Sequence, residues 1–211
     1  MRVLLLGDSH TVGTYGTKLE QLFRARGDDV VRVAHVGATA GNYLSSGKYS
    51  AEFDGLRGQR FDVAVITLGT NDAAASDSVS PTTSAERFRA LADGLNAGVV
   101  WYVGPPAFSD NAARTYNPAF KGEGKDLNTR AAKVFDAARD VFGSRTLDSR
   151  PLTQAFVQRA EIHFGPQGGA AWAQGVFDRV SSGGGGGAGG WFVAAALGVA
   201  AYLAWRRFRP S

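Results

Sequence analysis

Short apolar runs recur along the first 150 residues, each closed by glycine or a small polar cluster and followed by a segment with helical spacing. The first is Val3-Leu4-Leu5-Leu6, stopped by Gly7 and Asp8. Others occupy residues 30–36, 62–68, 99–103 and 145–148, the fourth stopped by Gly104-Pro105-Pro106. Runs this short and this apolar fit strands buried on both faces. Between them, Leu19, Leu22 and Phe23 place a helix that ends near Gly27, and residues 42–56 form a second. Phe88, Leu91 and Leu95 share one face of a helix over residues 84–95, with Ser84 placed to cap it. Further helices are predicted over 128–142 and 166–180, the last with Pro near its first turn. Residues 107–125 read as a long loop. Strands alternating with helices favour a parallel sheet covered on both faces. Ligands of such sheets sit beyond the carboxyl ends of the strands. Attention therefore falls on Asp8-Ser9-His10, Gly37-Ala38-Thr39 and Gly69-Thr70-Asn71-Asp72.

Composition removes several chemistries. The chain has no cysteine, which excludes disulfides, thiolate metal sites and thiol nucleophiles. Three histidines argue against a His-rich metal site, and no phosphate-binding loop, dinucleotide fingerprint or HExxH pattern is present. A serine after the first strand is well placed as a nucleophile, but its hydroxyl needs an adjacent base. His163, at the start of the last helix, is the natural candidate. Acyl transfer also needs donors aimed at the developing oxyanion, and the Ser9 and Gly37 backbone amides with the Asn71 side chain could supply three.

The residues after the strands carry a family resemblance. Gly7-Asp8-Ser9-His10-Thr11 resembles the first block of the SGNH (GDSL-type) serine esterases, and Gly37-Ala38-Thr39 their second. Gly69-Thr70-Asn71-Asp72 is similar to their Gly-x-Asn-Asp block, and His163-Phe164-Gly165-Pro166 to their histidine block. The four occur in family order over residues 1–180. The resemblance implies a three-layer α/β/α sandwich with a five-stranded parallel, flavodoxin-like sheet. It implies Ser9 as nucleophile, His163 as general base and acid, and Gly37 and Asn71 completing the oxyanion hole. Gly37 fits that role better than Gly41. Asp8 and Asp72 would hold the turns around Ser9 and Asn71, and neither cofactor nor metal is implied. One position departs from the pattern: Ala160 stands where the family places the aspartate that orients the histidine. Glu161, Asp148 or a backbone carbonyl are the substitutes. His10 reads as structural or pocket-lining with its side chain turned away from that of Ser9, and His35 as a core or rim residue. Phe108, Tyr116 and Phe120 form either a pocket wall or a locally packed surface loop.

Composition breaks at Ser181. Seven of the 28 glycines fall between Gly183 and Gly190, and the 25 residues from Ser181 to Trp205 carry no charge. Arg206, Arg207 and Arg209 supply three of the net +4, so the basic pI describes the tail and gives no ground for nucleic-acid binding. The expected division is a hydrolase-like domain over 1–180, a linker over 181–190, an apolar transmembrane helix over 191–205 and a basic tail over 206–211. Trp191 and Trp205 fit interfacial anchors, with the arginines on the inner side. The tail resembles bacterial carboxy-terminal Gly-Gly sorting segments, which implies a cell-envelope location. Met1 runs directly into the first strand with no signal-peptide pattern, and a phage-encoded protein is compatible with that combination. The expectation is a membrane-tethered esterase acting on an acyl or acetyl ester, such as an O-acetylated glycan or a lipid ester. The alternatives are a catalytically degenerate domain that binds carbohydrate, or an assembly protein whose tail makes homo-oligomer contacts.

Overall fold

In the computed structural model, which describes residues 1–75, 80–116, 126–158 and 161–183, five parallel strands form one sheet. They are β1 (Arg2–Gly7), β2 (Asp29–Ala34), β3 (Phe61–Thr67), β4 (Ala97–Val103) and β5 (Thr146–Leu147), in the order β2-β1-β3-β4-β5. The register is regular: Leu4 faces Val31 on one side and Ala64 on the other, and Gly7 faces Ala34 and Thr67. The helices are α1 (Ser9–Val12), α2 (Thr14–Ala25), α3 (Ala40–Tyr43), α4 (Ser50–Arg57), α5 (Thr70–Ala74), α6 (Pro81–Gly94), α7 (Asp110–Thr115), α8 (Leu127–Phe142), α9 (Arg150–Thr153) and α10 (Pro166–Ser182).

Side-chain alternation along the central strands sorts the core into two layers. Val3, Leu5, Val63, Val65 and Trp101 pack against Tyr15, Leu19 and Phe23 of α2 and Trp172, Ala173 and Val176 of α10. Leu4, Leu6, Ala64, Ile66 and Tyr102 face the other way, onto residues of α3, α4, α6 and α8. This is the expected three-layer α/β/α sandwich, and residues Met1–Ser181 form it as one compact unit. Leu4 and Leu6 are fully buried, so truncating either to alanine costs about 2–5 kcal/mol. β1 has β2 on one side and β3 on the other, so the chain leaves it in opposite directions and a crevice opens past its carboxyl end. Asp8 and Ser9 follow β1, and Asn71 follows β3, so both reach that crevice.

Several boundaries differ from expectation. The helix expected over 42–56 is two helices, α3 and α4, separated by a turn in which Ser46 has φ +67°. Helix α6 begins at Pro81, where Ser80 accepts the Thr83 N–H at 3.0 Å; Ser84 lies buried inside the helix and does not cap it. The stretch expected as loop from 107 contains α7, capped by Ser109. Among the described residues no helix is long and apolar enough to cross a membrane. The apolar segment 191–205, the basic end 206–211 and most of the glycine linker lie outside the described residues.

Candidate active site

Ser9 is positioned by the turn that ends β1. Asp8 caps α1, its carboxylate accepting the His10 N–H at 3.0 Å, and this places Ser9 as the first residue of the helix. Gly7 is required there, because a Cβ would lie 1.9 Å from Thr11 Oγ1. Its carbonyl accepts from the buried Tyr43 hydroxyl at 2.6 Å, tying the turn to α3.

His163 lies in the exposed turn before α10, and its Nε2 is 2.9 Å from Ser9 Oγ. The residue after it is held from a second direction: Thr14 Oγ1, at the start of α2, donates to the Phe164 carbonyl at 2.9 Å. Close approach of α10 to α2 makes this possible, since a Cβ on Gly169 would fall 2.3 Å from Thr14 Oγ1. Among the described residues no carboxylate reaches the His163 ring. Ala160 lies outside those residues, Glu161 is exposed, and Asp148 is engaged by Arg150 through two contacts of 2.8 Å. Burial alone would raise the Asp148 carboxyl, but the Arg150 hydrogen bonds hold it below the usual carboxylate range.

Asn71 sits in α5 after Gly69, whose φ of +116° belongs to the left-handed region that favours glycine. Space enforces the same choice, because a Cβ on Gly69 would come within 2.6 Å of the Tyr102 hydroxyl. The Asn71 amide donates to the Ala38 carbonyl at 3.0 Å and lies 3.4 Å from Asp8 Oδ2. It thereby joins the β1 turn to the turn after β2. Gly37, in that second turn, is exposed with φ +76°. Gly41 lies instead in the first turn of α3, where a Cβ would approach the Arg87 guanidinium carbon to 3.1 Å.

Two buried carboxyls underlie the crevice. Burial is the main cause that pushes Asp8 up to about 7; the His10 N–H opposes it and the nearby Asp72 charge adds to it. Burial likewise raises Asp72 to about 6, against the Ala40 N–H and the Arg87 charge. The expected role of Asp8 matches its capping contact. Asp72 does something different from holding the Asn71 turn alone: both its oxygens accept the Ala40 N–H, at 3.1 and 3.2 Å, so it holds the start of α3.

His10 is buried and lines one cavity together with Ser9 and His163, its ring centroid 5.2 Å from that of His163. Burial pushes it down to about 3, with His163 adding to the effect, so it is a neutral ring. His35 lies at the rim, stacked on Tyr49 at 3.7 Å and paired with Glu52. Phe108 is buried in the core, Tyr116 is half-exposed, and Phe120 lies outside the described residues. The Thr14–Phe164 link has no signal in the sequence, as nothing marks two residues 150 positions apart as partners.

A serine hydroxyl with an imidazole within hydrogen-bond distance, and an asparagine amide after the neighbouring strand, thus lie past the carboxyl ends of the sheet. The model of the GDSL-like lipase/acylhydrolase family matches residues 5–171. The chain belongs to that family. This SGNH-type hydrolase resembles, by fold, a Slackia heliotrinireducens protein described as an SGNH hydrolase: TM-score 0.67, 21% identity, 85% of this chain and 98% of the other covered. An Agrobacterium tumefaciens protein described as an arylesterase superposes with TM-score 0.64 and 18% identity over 86% of this chain and 98% of its own. A carbohydrate acetylesterase from Sinorhizobium meliloti gives 0.60 and 17% over 86% and 98%. No curated protein sequence matches the hydrolase significantly.

Proposed function

We propose that this SGNH-type hydrolase cleaves acyl or acetyl esters through an acyl-enzyme on Ser9. The observation that carries the reading is the 2.9 Å separation of Ser9 Oγ and His163 Nε2. As the ester carbonyl is attacked, the Oγ–C bond forms and the Oγ proton passes to His163 Nε2. The oxyanion is met by the Ser9 amide, which opens α1 where intrahelical acceptors are lacking, by the Gly37 amide and by the Asn71 side chain. Collapse breaks the bond to the leaving alkoxide, which takes the proton from His163. Water, deprotonated by the same ring, then releases the acid. His163 is exposed, so solvent can stabilise its charged form where the family uses an aspartate. The proposed substrates are O-acetylated glycans or lipid esters, in keeping with the acetylesterase among the similar folds.

The full-length protein is expected to release acetate from 4-nitrophenyl acetate and from acetylated polysaccharide, with activity lost in Ser9→Ala. A folded protein that turns over neither substrate would instead favour a carbohydrate-binding descendant, a reading that Ala160 motivates.

For the tail, the proposal is a tether: residues 191–205 in a bilayer, Trp191 and Trp205 at its faces, and the arginines beyond, at a bacterial envelope. Full-length protein should sediment with membranes, and removal of residues 184–211 should release it. A soluble full-length chain would overturn the tether, and a soluble oligomer that falls apart on removal would point to assembly.

A further inference from the structure

The small depression beside Ser9 and His163 does not end the crevice. Its rim residues Gly13 and Thr14 also line a larger groove, of about 430 Å³, that is open to solvent. Thr14, Thr17, Lys18 and Gln21 form one wall, at the i, i+3, i+4, i+7 spacing of a single face of α2. Pro166 and Ala170, one turn apart on α10, form the other. Thr14 opens α2 and Pro166 opens α10 just after His163, so the groove starts at the reacting pair. From there it runs about 10 Å along α2 to Gln21.

Charge and hydrogen-bonding capacity narrow the occupant. Among the described residues the half-buried Lys18 has no carboxylate partner, and the exposed Gln21 amide has no hydrogen-bond partner. The other charges of α2 are engaged: Glu20 is held by Arg24 at 2.9 Å and by Arg32 at 3.0 Å. Helix α10 carries no charged residue before Asp178, which accepts from Gln174 at 2.8 Å. Glu161 is exposed on the turn before α10 but does not line the groove. Thr17 Oγ1 receives an Arg32 N–H at 3.1 Å and keeps its own proton to donate. Gly13, Pro166 and Ala170 add small apolar surface between these polar groups. One unpaired positive charge among hydroxyl, amide and small apolar groups complements an anionic, hydroxyl-rich ligand. The groove is longer than an acetyl group needs and is open along its length, which suits a polymer chain.

We propose that this groove binds the chain of an acidic O-acetylated polysaccharide, a uronate carboxylate pairing with Lys18 while a neighbouring acetylated sugar presents its ester to Ser9. The hydrolytic half of the proposal rests on the esterase reading; the binding of the acidic chain does not. Lys18 is thereby a specificity-determining residue, one that favours acidic glycans over neutral ones.

The test follows acetate release by the full-length protein from polygalacturonate and from its carboxyl-reduced counterpart, each acetylated to the same degree. At low ionic strength kcat/KM for the acidic polymer is expected to be about fivefold higher, the effect of one ion pair at a partly exposed site. The preference should vanish in about 1 M sodium chloride, where the Debye length is about 3 Å. Lys18→Gln should bring the ratio of the two polymers close to one, and Lys18→Arg should keep it. Lys133→Gln, which removes an exposed charge from α8, should keep it as well. A ratio near one in the unaltered protein overturns the proposal. So does a ratio that Lys18→Gln and Lys133→Gln lower equally, which would assign the preference to overall charge. Both results stand beside hydrolysis of 4-nitrophenyl acetate, so the esterase reading survives them. A protein inactive on every ester overturns the esterase reading instead. Calorimetric titration of Ser9→Ala with unacetylated oligogalacturonate then decides the groove by itself. Binding that the added Lys18→Gln weakens about threefold or more keeps the site; no binding, or binding indifferent to Lys18→Gln, removes it.

Discussion

Thr14 Oγ1 donates to the carbonyl of Phe164 at 2.9 Å, fastening the start of α2 to the residue that follows His163. With no carboxylate among the described residues to orient the imidazole, this bond and the aromatic contact with His10 are what the fold provides to hold the ring near Ser9. Net hydrogen-bond contributions of about 1 kcal/mol translate into roughly fivefold in rate. Thr14→Val is accordingly expected to lower kcat by about fivefold with KM little changed, and Thr14→Ser to restore most of it. A loss in Thr14→Ser with none in Thr14→Val would mean that packing of the threonine methyl group matters and the hydroxyl does not.

Asn71 bridges two turns through the Ala38 carbonyl and approaches Asp8, and one of its two amide hydrogens is the proposed oxyanion donor. Removing such a donor costs about 100- to 1,000-fold in kcat. Asn71→Ala should show a loss of that order against 4-nitrophenyl acetate, with circular dichroism and melting temperature close to those of the parent. A tenfold smaller effect would place the oxyanion elsewhere.

The buried carboxyls of Asp8 and Asp72 make stability fall as pH rises. Their native values, about 7 and about 6, lie above the 3.8 of an unperturbed aspartate. Between pH 4 and 7 the unfolded chain has released these protons while the native state retains them, so unfolding is progressively favoured. Their contribution is complete below the unfolded value and gone once pH passes the native ones. Asp126 and Asp148 are held below the usual range and act in the opposite sense, but only below about pH 4. Urea midpoints measured from pH 4 to 7.5 should decline by an amount on the order of a few kcal/mol. Asp8→Asn should flatten the decline, and an unchanged slope in that variant would contradict the assignment.

The strand ends were legible because each combines a buried apolar run with a residue type that only a turn requires. Gly7, Gly69 and the apolar residues before them therefore located Ser9 and Asn71 directly. Helix starts were less legible where two capping residues compete: Ser80 and Ser84 both precede apolar spacing, and Pro81 at the first helical position decides for Ser80. The break between α3 and α4 turns on Ser46, a residue type with no strong preference for a positive φ, so local composition did not announce it. His10 was expected to be structural or pocket-lining, with its side chain turned away from that of Ser9. In a helical turn successive side chains diverge by only about 100°, so both residues can border one cavity. Contacts such as Thr14 with Phe164 depend on how α10 docks on α2, which no local pattern encodes.

The central claim, that Ser9 is a nucleophile activated by His163, is tested most directly by covalent labelling of the full-length protein with a fluorophosphonate and intact-mass and peptide mapping. One adduct per chain on Ser9, lost in Ser9→Ala and slowed at least 100-fold in His163→Ala, is the result expected. A folded protein that forms no adduct, or forms it on a residue other than Ser9, would contradict the account.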